Sequence, residues 1–142
     1  MSHVFQSLWV HVTWATKNRQ PWLTSALKPP LFSQLRTIAE AENIRLDFLN
    51  GVYDHVHCLL ALRTTDRLDL TMQQLKGKSA RWVNEHQLTE HVFAWQNGYG
   101  AFSVSPSHVE RVRNYIRNQE KHHQEQDYWQ EMEMLERMAR VP

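Results

Sequence analysis

The stretch Asp54-His55-Val56-His57-Cys58-Leu59-Leu60 decides how the rest of the chain is read. It is short, apolar and free of glycine and proline, which fits a buried strand. Residues two apart on a strand share a face and lie roughly 6.6 Å apart at about 3.3 Å per residue. His55 and His57 therefore project together, while Val56 and Cys58 point the other way into packing. Two neighbouring imidazoles on one face can chelate a divalent ion. A His-x-His pair on a strand is also common as plain structure, so the reading needs a second element.

That element is the stretch from Ser105 to Gln124, which contains Tyr115-Ile116-Arg117-Asn118-Gln119-Glu120-Lys121-His122-His123. Ser107 with Glu110 matches a capping box and predicts that a helix starts here. Val109, Val112 and Ile116 recur at helical spacing as its buried stripe. Tyr115 and Gln119 lie four apart, on one face and about 6 Å apart along the axis. A tyrosine and an amide oxygen thus arrive as one rigid unit. His122 and His123 read as exposed residues with at most a supporting role.

The remaining segments place these two on a fold. Phe5 to Thr16 alternates with period two, Leu8, Val10, Val12 and Trp14 on one face and Trp9, His11 and Thr13 on the other, as a strand does. Lys17 to Pro21 is a polar turn. Pro29-Pro30 opens a helix whose buried stripe is Leu31, Leu35, Ile38 and Ala39. Ile44 to Val52 is a second strand, paired as a hairpin with the histidine strand from Tyr53 to Leu62. Leu70 to Gln87 is a second helix with Met72, Leu75, Ser79 and Trp82 or Val83 on one side. Gly77 inside it implies close approach of another backbone, or simple tolerance. Tyr99 to Val104 is a fourth strand. Asp127 to Arg140 is a last, polar helix with Trp129, Met132 and Leu135 or Glu136 inward. This order predicts an α+β, ferredoxin-like antiparallel sandwich with two helices on one sheet face and the histidine pair on the other.

Composition narrows the function classes. A length of 142 residues and 42% hydrophobic content fit one globular domain, residues 1–142. Net charge is +1, from 16 Lys plus Arg against 15 Asp plus Glu, so a bulk electrostatic nucleic-acid binder is excluded and any such contact comes from local patches. The apolar runs are too short for a membrane span, and no charged-then-apolar leader is present. Cys58 is the sole cysteine, which excludes a disulfide scaffold and points to a reduced, cytoplasmic setting. Six tryptophans are many for this length; most read as core, and one or two are candidates to stack on unpaired bases.

A His-hydrophobic-His strand followed by a helix bearing Tyr-Ile-x-x-Gln-x-x-His-His resembles the single-tyrosine HUH transposases of small bacterial insertion sequences and their repeat-associated relatives. The resemblance runs from His11-Val12-Thr13-Trp14-Ala15-Thr16-Lys17-Asn18-Arg19 to His123. Tyr53 is its one local departure, where a small residue or proline is expected. The resemblance implies Tyr115 as nucleophile and His55, His57 and Gln119 as ligands of Mg²⁺ or Mn²⁺. It also implies single-stranded DNA carrying a hairpin as substrate, a homodimer with sites built within or between subunits, and a bacterial cytoplasmic setting. Lys17 and Arg19 then become phosphate candidates beside their reading as solvated loop charges. Lys76, Lys78 and Arg81 become candidates to grip the hairpin, beside their reading as a solvated helix side.

The chemistry these residues allow is coherent. A phenolate that attacks phosphorus conserves the bond energy as a 5′-phosphotyrosine, so the step is reversible without ATP. Neutral ligands leave an ion its full charge for the phosphate oxygens. Two other readings stand beside this one. One is a ferredoxin-like module or domesticated regulator that holds hairpin DNA or RNA without cutting it. The other is a histidine-triad phosphoesterase, which needs a third histidine where this chain has Leu59. Tyr53, Tyr99 and Tyr128 are rival tyrosines, each without a glutamine one turn on.

Overall fold

The computed structural model describes residues 3–123 and 127–139. Expectations that fall on Gln124, Arg140 and the side chain of His123 lie outside the described residues. The elements run β1 (Leu8–Ala15), α1 (Lys28–Ala41), β2 (Leu46–Gly51), β3 (His55–Leu62), α2 (Leu68–Glu85), β4 (Gly100–Val104), α3 (Val109–Arg117), α4 (Gln119–His123) and α5 (Tyr128–Ala139). The four strands form one antiparallel sheet in the order β2-β3-β1-β4. This is the predicted ferredoxin-like α+β topology, with β1 and β3 side by side at its centre.

Strand alternation divides the side chains between two layers. Val12, Trp14, Val56, Cys58 and Leu60 face α1 and α2 and pack on Leu31, Leu35, Ile38, Met72, Leu75 and Val83. Trp95 closes this core, edge-on to Trp14 with its indole N–H donated to Ser79 Oγ at 2.9 Å. Gly51 ends β2 because a Cβ there would lie 2.6 Å from the His55 carbonyl oxygen, so only glycine lets the hairpin return this tightly. Gly77 differs: among the described residues, no atom outside the local backbone comes within 4 Å of a Cβ built there, so no protein backbone approaches it, and a nucleic-acid backbone or simple tolerance is left.

The second face holds a smaller apolar cluster of Leu59, Val109 and Ile116, bordered by Trp9, Phe48, Val112 and Tyr115. These residues seat α3 across β3 and β2. The Arg113 guanidinium donates to both carboxylate oxygens of Asp47 on β2, at 2.6 and 2.7 Å. Asn50 Nδ2 donates to the Ile116 carbonyl at 2.9 Å, which satisfies a helix-end acceptor. The helix that carries Tyr115 is thereby fixed in position and rotation.

Three local expectations need correction. Pro106–His108 form a 3₁₀ turn, so the α3 N-cap is His108 and no capping box forms. Ser107 sits inside that turn, 3.1 Å from His108 Nδ1, and Glu110 pairs with Arg113 instead. The tyrosine helix also breaks at Asn118, which places Tyr115 and Gln119 on consecutive helices rather than one. In α5 the buried residues are Tyr128 and Glu131, with Met132 and Leu135 half-buried as expected and Met132 against Gly100, while Trp129 is 58% exposed. Trp129 falls outside the inward stripe because that stripe runs through Tyr128 and Glu131, which meet the histidine pair.

Candidate active site

His55 and His57 stand side by side on the second face of β3, both fully buried, with ring centroids 4.9 Å apart. Each is oriented through Nδ1. His55 Nδ1 lies 2.8 Å from Asp54 Oδ1, and His57 Nδ1 lies 2.7 Å from Nε2 of His11 on neighbouring β1. A partner at Nδ1 fixes the tautomer and directs the other nitrogen toward a ligand. Both Nε2 atoms accordingly point at one oxygen, Glu131 Oε1, at 3.1 and 2.8 Å.

Glu131 is brought in by α5 and is 1% exposed. Its second oxygen, Oε2, accepts a hydrogen bond from the Tyr115 hydroxyl. The Tyr115 ring lies 6.0 Å from those of His57 and His11, and His122 stacks on its outer side at 4.4 Å. Gln119 is fully buried one turn on. Its Nε2 is 3.4 Å from Glu131 Oε2 and from the Tyr115 carbonyl, and its buried Oε1 has no hydrogen-bond partner among the described residues. A buried amide oxygen left unpaired is unfavourable unless something at the site engages it.

Electrostatics follow from burial and these contacts. Burial opposes charge on His55, but hydrogen bonds to Asp54 and Glu131 outweigh it and raise its pKa. Burial would also keep Glu131 protonated, yet hydrogen bonds from His55 and His57 hold it well below the usual carboxylate range. Burial, reinforced by His57, pushes His11 down to about 3, so it is neutral. Burial and then the Glu131 carboxylate push the Tyr115 phenol well above its ordinary value.

The donor set fits a divalent cation. Ligand atoms of His55, His57 and Glu131 all lie within 4.8 Å of one another. Two imidazoles, a carboxylate and a buried amide oxygen make a mixed nitrogen and oxygen donor set, unlike the cysteine-rich set of a typical structural zinc site. The tyrosine and the histidine pair meet here within one chain.

The basic residues divide into two groups. Lys17 and Arg19 lie on the 3₁₀ turn after β1, and Arg19 Nε is 3.7 Å from Asp54 Oδ2, close to His55. Lys76, Lys78 and Arg81 lie on α2, against the opposite sheet face. There Lys76 Nζ donates to the carbonyls of Gln96 and Gly98 at 2.8 and 2.6 Å, and Lys78 pairs with Glu42. Sequence reasoning missed Glu131, and it gave His11 and Asp54 no role. A single acid on a polar helix has no distinguishing signal; only the packing of α5 marks it. Tyr128, discounted as a rival, has its ring 4.8 Å from that of His55.

A ferredoxin-like sheet that seats a tyrosine beside a histidine pair narrows the class, and sequence comparison supplies the family. The model of the IS200-like transposase family matches residues 4–119, and the chain belongs to that family. It is 30% identical over 122 residues to the ISDra2 transposase TnpA of Deinococcus radiodurans, which spans 82% of this chain and 86% of that one. The crystal structure of a protein from Deinococcus radiodurans R1 described as a transposase superposes with a TM-score of 0.67 at 29% identity, over 84% of this chain and 95% of that one. A REP-associated tyrosine transposase bound to a REP hairpin shares the fold, with a TM-score of 0.61 at 14% identity over 83% and 72% of the two chains. The family match stops before α5, so Glu131 lies outside the matched segment. Among the described residues no helix is long and apolar enough to cross a membrane.

Proposed function

We propose that this transposase cuts and rejoins single-stranded DNA at hairpin-marked ends through a 5′-phosphotyrosine on Tyr115. The observation that carries this reading is the convergence of the Tyr115 hydroxyl and both histidine Nε2 atoms on the two oxygens of one carboxylate. A nucleophile and a cation site that share one side chain can act on one phosphodiester.

His55, His57, Gln119 and Glu131 would hold Mg²⁺ or Mn²⁺, which when bound would polarise the phosphate and stabilise its developing charge. Asp54 and His11 keep the two imidazoles in the tautomer that leaves Nε2 available. The Tyr115 phenol attacks phosphorus, the 3′ oxygen of the neighbouring nucleotide leaves, and a later 3′-hydroxyl reverses the exchange. Glu131 Oε2 is placed to take the phenolic proton at attack. Burial in the apolar border of α3 keeps water from competing with the tyrosine. Lys17 and Arg19 would be the phosphate contacts nearest the site, Lys76 reaches the Gln96 and Gly98 carbonyls at the sheet edge, and Lys78 and Arg81 would act only on DNA that wraps to the α2 side. The working assembly is read as a homodimer in a bacterial cytoplasm, although one chain already contains every group named here.

The test is incubation of the protein with hairpin-bearing single strands and Mn²⁺, followed by denaturing electrophoresis. A covalent adduct forms with wild type and with Tyr128→Phe but not with Tyr115→Phe, which still shifts the hairpin. An adduct that persists in Tyr115→Phe, or one formed equally on duplex DNA, overturns the reading.

A further inference from the structure

We infer that a cleft beside the histidine pair binds unpaired nucleotides of the DNA strand by stacking, with Trp129 as its platform. This rests on the strand-transfer reading above and adds the subsite that holds the strand next to the cut phosphate.

The cleft has a volume of about 730 Å³ and lies between the turn after β1, the start of β4 and α5. Arg19, Tyr99, Phe102, Tyr128 and Trp129 line it. Trp129 and Tyr99 are 58% and 40% exposed, so neither ring is used up in the core. The rings lead away from the site in steps: His55 to Tyr128 is 4.8 Å between centroids, and Tyr128 to Trp129 is 5.5 Å. Stacked nucleotides advance by about 3.4 Å each, so the platform lies only a few nucleotides from the scissile position.

The walls are held in place before any ligand arrives. Asn18 and Arg19 both have φ of 55°, a left-handed conformation that asparagine adopts readily and arginine rarely. The Asn18 backbone N–H donates to Gln96 Oε1 at 2.8 Å, and Lys76 ties down the Gln96 and Gly98 carbonyls. A Cβ at Gly100 would lie 3.0 Å from Thr13 Cγ2 and 3.3 Å from Met132 Sδ, so this glycine lets α5 seat against β4.

Chemistry selects the occupant. The Arg19 guanidinium sits 5.9 Å over the Trp129 ring, with its Nε anchored 3.7 Å from Asp54 Oδ2. Its side chain remains about one-third exposed, which places a cation at the edge of the cleft. Glu136 also lines the cleft. Aromatic faces inside and a cation at the edge suit bases within and backbone outside. Trp129 lies beyond residues 4–119, the segment that the family model matches.

The experiment measures anisotropy of the full chain in EDTA, where no cutting occurs, with a short thymidine oligonucleotide and an abasic one of equal length. Wild type prefers the thymidine strand. Trp129→Ala weakens that binding by about fivefold to a hundredfold, leaves the abasic strand unaffected, and Trp129→Phe retains most of the preference. Equal wild-type affinity for the two strands, or an unchanged preference in Trp129→Ala, overturns the inference. So does a Trp129→Ala variant that sediments as a smaller assembly with its base preference intact, since the cleft would then hold a second copy. Base-selective binding without any Tyr115 adduct would sink the strand-transfer reading and spare the cleft; an adduct with no base preference would do the reverse.

Discussion

On the side of the sheet toward α1 and α2, β3 contributes Val56, Cys58 and Leu60 to a closely packed apolar core. On the other side the same strand contributes His55, His57 and Leu59, one residue out of phase, and only Leu59 joins an apolar cluster. Burial is equally complete on both sides, yet the forces differ. The first face is stabilised by area removed from water. The second face buries two imidazoles, a carboxylate and an amide, whose desolvation is unfavourable and is offset by hydrogen bonds among them and to Asp54, His11 and Tyr115. Such a cluster is weak evidence for stability and good evidence for a site. The teaching is that one strand carries folding on one edge of its alternation and chemistry on the other.

The sharpest way to break that division is to remove a side chain from each face. Tyr115→Phe should lower adduct formation by at least about a thousandfold while the melting temperature stays put. A large thermal shift would mean that the second face is a folding core after all. Leu75→Ala, on the first face, should destabilise by about 2–5 kcal/mol in denaturant unfolding, with Mn²⁺ affinity of the folded fraction unchanged. Altered metal affinity there would show that the faces are coupled through the sheet.

Smaller effects refine the polar face. Asp54→Asn removes the negative charge that orients and polarises His55, and calorimetric titration should show about 10–100-fold weaker Mn²⁺ binding. An unchanged affinity would mean that the tautomer is set elsewhere. Glu131→Gln keeps the shape of α5 and removes its charge, and Mn²⁺ binding should weaken on the order of tenfold. If nicking instead rises in that variant, Glu131 is an obstruction held against Tyr115 rather than part of the cation site.

Much of this was legible along the chain because it depends on local periodicity. Period-two alternation placed His55 with His57 and opposed them to Val56 and Cys58. Helical spacing put Tyr115 beside Gln119, and the order of elements gave the ferredoxin-like sandwich. The capping box at Ser107 was misleading, since Pro106 starts a 3₁₀ turn and moves the cap to His108. Trp129 of α5 was misjudged for a related reason: apolar pattern assigns a helix to an apolar surface, and this one docks on imidazoles through Tyr128 and Glu131.

What the sequence determined by itself is therefore which residues share a face, because neighbours along a strand or helix are related by fixed backbone geometry. What only the tertiary structure decided is which faces meet. Glu131 reaches His55 and His57 across more than seventy positions, and His11 reaches His57 across 46. Contacts at that separation leave no periodic trace, since they arise from the packing of β1 against β3 and of α5 against the sheet.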